Sequence, residues 1–261
     1  MGSAREGRLV RIIVSMKLPL LSYSLLLVTS AALAAELPKI PAEPIAKKKE
    51  LLFSEDFSGK ELKKPWGPVV PTFTVEDGAL KGTQTKVDAP AQDGKPAVKG
   101  HQAVIGTDIP TKDSIVELKF KFAGATGVSV EFDDRNFKGS HYGHICMTRI
   151  TPKTVIMIDQ KDGGMSNQIM AMTDPAQKAE RAKLLQGRSA TFPVETSSGD
   201  WHTLVVETVG DEMRTSVDGK AVGFLKSSGI AHPTKSKVEF GCMGKDGYFK
   251  DLKIWNAEPV K

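Results

Sequence analysis

From Glu50 onward, apolar and polar residues alternate along the chain mostly with a period of two rather than 3.6. In Ser114 to Phe122, the side chains of Val116, Leu118, Phe120 and Phe122 share one face, and Ile115, Glu117 and Lys119 share the other. Val128, Val130 and Phe132 also line up, as do Leu252 and Ile254. Strand-like runs recur at Leu51–Phe53, Phe73–Val75, Ala103–Ile105, Ser114–Phe122, Gly127–Phe132, His144–Ile150 and Thr154–Asp159. They continue at Trp201–Val209, Met213–Val217, Ala221–Leu225, Lys237–Cys242 and Tyr248–Trp255. Asp218-Gly219 between two runs is a two-residue hairpin signal, and Gly210-Asp211 punctuates the hairpin before it.

One helix interrupts this pattern. Asp174-Pro175-Ala176-Gln177 supplies an N-cap, a proline at the first helical position and a glutamine at the third, and Gly187 closes the segment. The spacing predicts a helix over Pro175 to Gln186, inside an excursion from Lys161 to Asp200. Such an excursion is either functional or decoration. Many short strands with turn signals, and no long repeat, predict an all-β, two-sheet antiparallel sandwich with one short helix in an inserted excursion.

The N-terminal region has a different character. Leu18 to Ala35 carries no charge, follows Lys17 and contains the small-x-small triplet Ala32-Leu33-Ala34. That layout predicts a secretory signal peptide over residues 1–34, and hence an exported, periplasmic or extracellular protein. Pro19 and several Ser and Thr make the segment poor for a span needing about 20 apolar residues, so no stable membrane span is expected after cleavage. Residues 35–49, with Pro38, Pro41, Pro44 and then Lys47-Lys48-Lys49, read as an extended tether, and residues 50–257 as the folded domain.

Composition then narrows the partners. The chain has 261 residues, 40% of them hydrophobic, which suits a globular domain and excludes a disordered or collagen-like one. The formal charge of +5 comes largely from Arg5, Arg8, Arg11 and Lys17, and the remainder is nearly balanced without a clustered basic stripe. No nucleic-acid partner is therefore expected. Cys146 and Cys242 sit in apolar segments without metal-ligand spacing, and either pair in an oxidising compartment or stay as buried thiols.

The segments Leu51-Leu52-Phe53-Ser54-Glu55-Asp56-Phe57 and Val75-Glu76-Asp77-Gly78-Ala79-Leu80-Lys81-Gly82 come in a definite order with three others. These are Gly199-Asp200-Trp201-His202-Thr203-Leu204, Ser216-Val217-Asp218-Gly219-Lys220 and Gly247-Tyr248-Phe249-Lys250-Asp251-Leu252-Lys253-Ile254-Trp255. That order resembles the 3-keto-disaccharide hydrolase domain family, a concanavalin A-like jelly roll common in exported bacterial proteins. The resemblance implies carbohydrate as the partner and cleavage of glycosidic bonds in 3-keto or related sugars. The alternative is a non-catalytic, lectin-like or structural envelope module. Two departures stand out: Gly124-Ala125-Thr126-Gly127-Val128 replaces the family's Asn-Ser-Gly-Val turn, and the excursion is longer.

Chemistry concentrates in Val130-Glu131-Phe132-Asp133-Asp134-Arg135. On a strand, Glu131 and Asp133 leave the same face about 7 Å apart at the backbone. That is compatible with the carboxyl separations of about 5–5.5 Å or more that glycosidases use. Laminarinase-type glycosidases on a similar sandwich follow Glu-x-Asp with a second Glu as acid/base, whereas position 136 here is Asn136. His141, Tyr142 and His144 follow on a Gly- and Ser-containing loop, groups suited to stacking on sugars or to ligating a metal with Asp133 or Asp134. Glu131, Asp133 and His141 are the catalytic candidates, and Tyr142, His144 and Arg135 the substrate-binding ones. Asp56 and Asp251, from the first and last strands, are candidates for a divalent cation such as calcium.

Overall fold

The computed structural model describes residues 36–59, 61–62, 64–68, 72–92, 96–97 and 99–260, so the signal-peptide reading of residues 1–34 lies outside them. Thirteen strands are found among the described residues. The first five are β1 (Ala46–Glu55), β2 (Trp66–Pro68), β3 (Phe73–Glu76), β4 (Ala79–Thr83) and β5 (Ala103–Thr107). Next come β6 (Ser114–Asp133), β7 (His144–Ile150), β8 (Thr154–Asp159) and β9 (Ser189–Pro193). The last are β10 (His202–Val209), β11 (Glu212–Val217), β12 (Lys220–Lys226) and β13 (Lys237–Pro259).

Two long strands organise all the others. β6 and β13 each merge two of the runs read from sequence, and they pair antiparallel along almost their whole length. Midway the ladder slips in register between Met243 and Gly247, opposite Gly124 and Ala125. On one side of that irregularity, β10, β11 and β12 extend from β6, while β1, β4 and β3 extend from β13. On the other side, β7, β8 and β9 extend from β6, while β5 and β2 extend from β13.

The two halves pack face to face, as a jelly-roll sandwich. Thr215 Oγ1 of β11 donates to Thr148 Oγ1 of β7 at 3.1 Å, and Gly223 of β12 lies against Met157 and Val155 of β8. The inward faces of β6 on both sides of the slip, Val116 to Phe122 and Val128 to Phe132, join Leu204, Met213, Met157 and Phe240 in one core. Each such side chain contributes about 1.5–3 kcal/mol by leaving water, so the alternation seen in sequence is what sets strand orientation.

Several sequence expectations need correction. The described part of the predicted 35–49 tether, residues 36–49, does not stand apart, because β1 starts at Ala46 and its register with β13 runs from Ala46 opposite Pro259. The buried Arg214 guanidinium donates to the Pro41 and Ala42 carbonyls and pairs with Glu207 at 2.6 Å. The domain therefore extends N-terminal to Glu50, since Arg214 and Glu207 need partners that this segment supplies. The predicted helix is present as a 3-10 turn, Pro175–Gln177, leading into α2 (Lys178–Leu185), with Asp174 accepting from the Ala176 amide. The excursion also holds a short helix, α1 (Asn167–Ala171), and ends in β9, which pairs with β8. Cys146 and Cys242 are separate buried thiols. No helix among the described residues is long and apolar enough to cross a membrane.

Candidate functional site

The outward face of the β7–β6–β13–β5 half carries the polar residues that strand alternation excludes from the core. Register puts Met147, Glu131, Glu239 and Gly106 in one row across β7, β6, β13 and β5. Asp133 and Lys237 form the neighbouring pair. All of these except Gly106 line the floor of a cleft of about 1030 Å³. Its wall comes from the loop after β6 and from the excursion, with His141, Tyr142, Met165 and Met170 lining it.

The loop is held by backbone and glycine geometry. The His141 amide donates to the Met165 carbonyl at 2.8 Å and the Asn167 amide to the Gly139 carbonyl at 3.0 Å. Gly143 has φ of +82°, and a Cβ there would stand 2.1 Å from the Asp134 carbonyl oxygen. Only glycine combines that left-handed backbone with so close an approach. The excursion thus buttresses the loop that lines the cleft.

Glu131 and Asp133 are each only 4% exposed. His144 Nδ1 stands 2.8 Å from Glu131 Oε1 and 2.9 Å from Asp133 Oδ1. Gln160, just after β8, donates from Nε2 to Glu131 Oε1 at 2.7 Å. Burial alone would lower the His144 pKa, but hydrogen bonds to the Asp133 and Glu131 carboxylates, with their charges, lift it to about 10. The two carboxylates thus favour the protonated form of the ring. Burial raises the Asp133 carboxyl, with the Glu131 charge adding and the His144 hydrogen bond opposing. Burial, together with the charges of Asp133 and Glu131, pushes Glu239 up to about 7 against the neighbouring Lys237, which bonds to it.

All six cleft candidates named from sequence line this one cleft. Tyr142 is 83% exposed at the rim, its ring 4.4 Å from that of His141. Arg135 is engaged with Asp108 at 2.7 Å. Asp134 turns away and meets His232 Nε2 at 3.0 Å, so it does not join the histidines of the loop.

Asp56 and Asp251 do line one shallow depression, but Lys119 enters it and pairs with Asp251 at 2.9 Å. Asp56 accepts from the Ser58 amide at 2.9 Å. Asp251 thus has a lysine partner at this depression, while Asp56 is held by its own turn. Among the described residues, the group of three His, Cys, Asp or Glu with metal-type spacing is instead Glu131, Asp133 and His144.

Sequence reasoning missed Glu239, Lys237, Gln160 and Arg149, all lining the cleft. A signal existed for the first two. Val238, Phe240 and Cys242 point to the core, so Lys237 and Glu239 must face the opposite way. His202 is buried, with Nδ1 2.6 Å from Asp218, and Trp201 is half-buried under Lys250.

No protein-family model and no curated protein sequence matches the chain. Solved structures do match. A non-specific endo-β-1,3(4)-glucanase of glycoside hydrolase family 16 superposes with a TM-score of 0.55 at 12% identity, covering 84% of this chain and 96% of that one. The laminarinase catalytic domain from Thermotoga maritima gives 0.53 at 14% identity, covering 80% and 99%. An endo-β-1,3-glucanase from Pyrococcus furiosus gives 0.53 at 9%, covering 84% and 100%. At such identities the likeness is one of fold, and the chain folds as the jelly-roll sandwich of the family 16 glucanases.

Proposed function

We propose that the protein is an exported carbohydrate-active hydrolase that binds a sugar across this cleft and cleaves its glycosidic bond. The observation that carries the reading is the pair of buried acids, Glu131 and Asp133, at the floor of a cleft large enough for a disaccharide. The glucanase-like fold supports carbohydrate as the partner, and the leader-like residues 1–34 support export.

The sequence resemblance points further, to 3-keto disaccharides, and the residues suit that chemistry. Asn136 is no acid, which weighs against direct displacement at an ordinary glycoside. A keto group acidifies the C–H beside it. A base takes that proton, the electron pair forms a C=C bond, and the glycosidic oxygen leaves with a proton from an acid. Water then adds across the double bond. Glu239, titrating near neutral pH on the strand beside Glu131, is placed to carry protons at the floor, and His141 at the rim. Glu131 and Asp133 line the same floor, with His144 between them.

The test compares hydrolysis of 3-keto and ordinary disaccharides by wild type and Glu131→Gln, beside their melting temperatures. Loss of turnover with an unchanged melting temperature is the expected result. The exposed Tyr142 platform favours a second, lectin-like reading. It takes over if glycans bind while neither sugar class is cleaved.

A further inference from the structure

The floor of the cleft holds donors that the protein itself leaves incompletely used. One carboxylate oxygen each from Glu131 and Asp133 and one imidazole nitrogen of His144 lie within 4.8 Å of one another. The nitrogen-to-oxygen distances of 2.8 and 2.9 Å are close to the roughly 3 Å between neighbouring ligands about 2.0–2.2 Å from a shared metal ion. A second observation lies beside that cluster. The Gln160 side chain is 3% exposed and abuts Glu131 through Nε2, yet its Oε1 has no hydrogen-bond partner. Ser129 Oγ, two residues before Glu131 on the same strand face, is likewise buried and unpartnered. Buried polar atoms in folded proteins are normally satisfied, and exceptions call for a ligand or water. Lys237, opposite Asp133 on the ladder, bonds to Glu239.

We propose that Glu131, Asp133 and His144 form a divalent-cation site, with the Gln160 amide beside it and an open side toward the cleft. Three protein ligands leave coordination positions free, the arrangement of catalytic rather than structural metal centres. Imidazole with carboxylates suits manganese, cobalt or zinc, whereas calcium takes a shell of six to eight oxygens. Two neighbouring oxygens of a sugar, such as a ketone and the adjacent hydroxyl, fit the free positions. The site shares the cleft of the proposed hydrolase, but cation binding does not depend on that reaction.

The experiment uses the full chain, stripped with a chelator, dialysed, and titrated calorimetrically with Mn²⁺, Co²⁺, Zn²⁺ and Ca²⁺ in turn. Binding of one equivalent of at least one transition ion is expected, with Ca²⁺ about 10-fold weaker or more, and with visible ligand-field absorption from Co²⁺. His144→Ala should weaken binding about 100-fold, and Gln160→Ala about 10-fold, as outer-shell partners do. Asp56→Asn should leave binding unchanged. If His144→Ala does not melt cooperatively, His144→Gln replaces it. The proposal is overturned if no transition ion binds stoichiometrically, or if a folded His144 variant binds as wild type does. Cation binding without hydrolysis would sink the hydrolase reading and leave the metal site standing.

Discussion

Glu239 stands directly opposite Glu131 on the β13–β6 ladder, so two acids from strands far apart in sequence face the same cleft. Directly opposed side chains on adjacent strands have Cβ atoms about 4.5–5.5 Å apart. Like charges so placed repel, and burial adds to the cost of ionising both. The structure answers with Lys237 on one side and His144 on the other.

That arrangement sets a pH dependence of stability. Glu239 is raised from its ordinary 4.5 to about 7, so between these values the folded protein binds more protons than the unfolded chain. Stability must therefore fall as pH rises through that window. His144, raised from 6.5 to about 10, adds a loss of the same sign at higher pH. Urea unfolding of the chelator-treated protein at a series of pH values should show the decline, and Glu239→Gln should flatten its lower part. A stability that climbs from pH 5 to 7 equally in both proteins would contradict this.

Gly143→Ala tests the loop. The new methyl group meets the Asp134 carbonyl and demands a left-handed backbone, so a loss of about 2 kcal/mol or more is expected. Because His141, Tyr142 and His144 flank this position, sugar binding should weaken beyond what the stability change explains. Thermal melts beside glycan titrations check both parts.

Arg214→Ala tests the N-terminal attachment. The substitution leaves Glu207 buried without its partner and frees the Pro41 and Ala42 carbonyls, which should cost about 3–5 kcal/mol. Limited proteolysis should then cut near Pro41 and Ala42 before the rest of the domain unfolds. A variant as stable and as resistant as wild type would show that this segment adds nothing.

Asp159, wholly buried at the end of β8, accepts from the Gly229 amide at 3.0 Å, the Asp162 amide at 2.9 Å, Arg188 and Ser227. It ties the excursion to the turn after β12. Asp159→Ala leaves those donors unsatisfied, and about 3 kcal/mol of stability should go with it. Hydrogen exchange should quicken first in residues 161–188 if the tie works as described.

What the sequence determined by itself was local. Period-two alternation assigns Val116, Phe120, Val130 and Phe132 to the core, and thereby places Glu131 and Asp133 on the opposite face. Asp174, Pro175 and Gly187 mark the helix because capping uses hydrogen bonds within a few residues. The His141–His144 loop was legible as chemistry because it follows closely after those acids. Only the tertiary structure decided which strands lie beside one another. The β6–β13 pairing brings Glu239 to Glu131, and β7 with the end of β8 brings His144 and Gln160. Alternation says that Lys237 and Glu239 leave the core, yet not which neighbours they meet, since long-range register is fixed by the packing of both sheets together. For the same reason Asp56 and Asp251 read as a cation pair in sequence, while only the fold shows that Lys119 reaches Asp251 there.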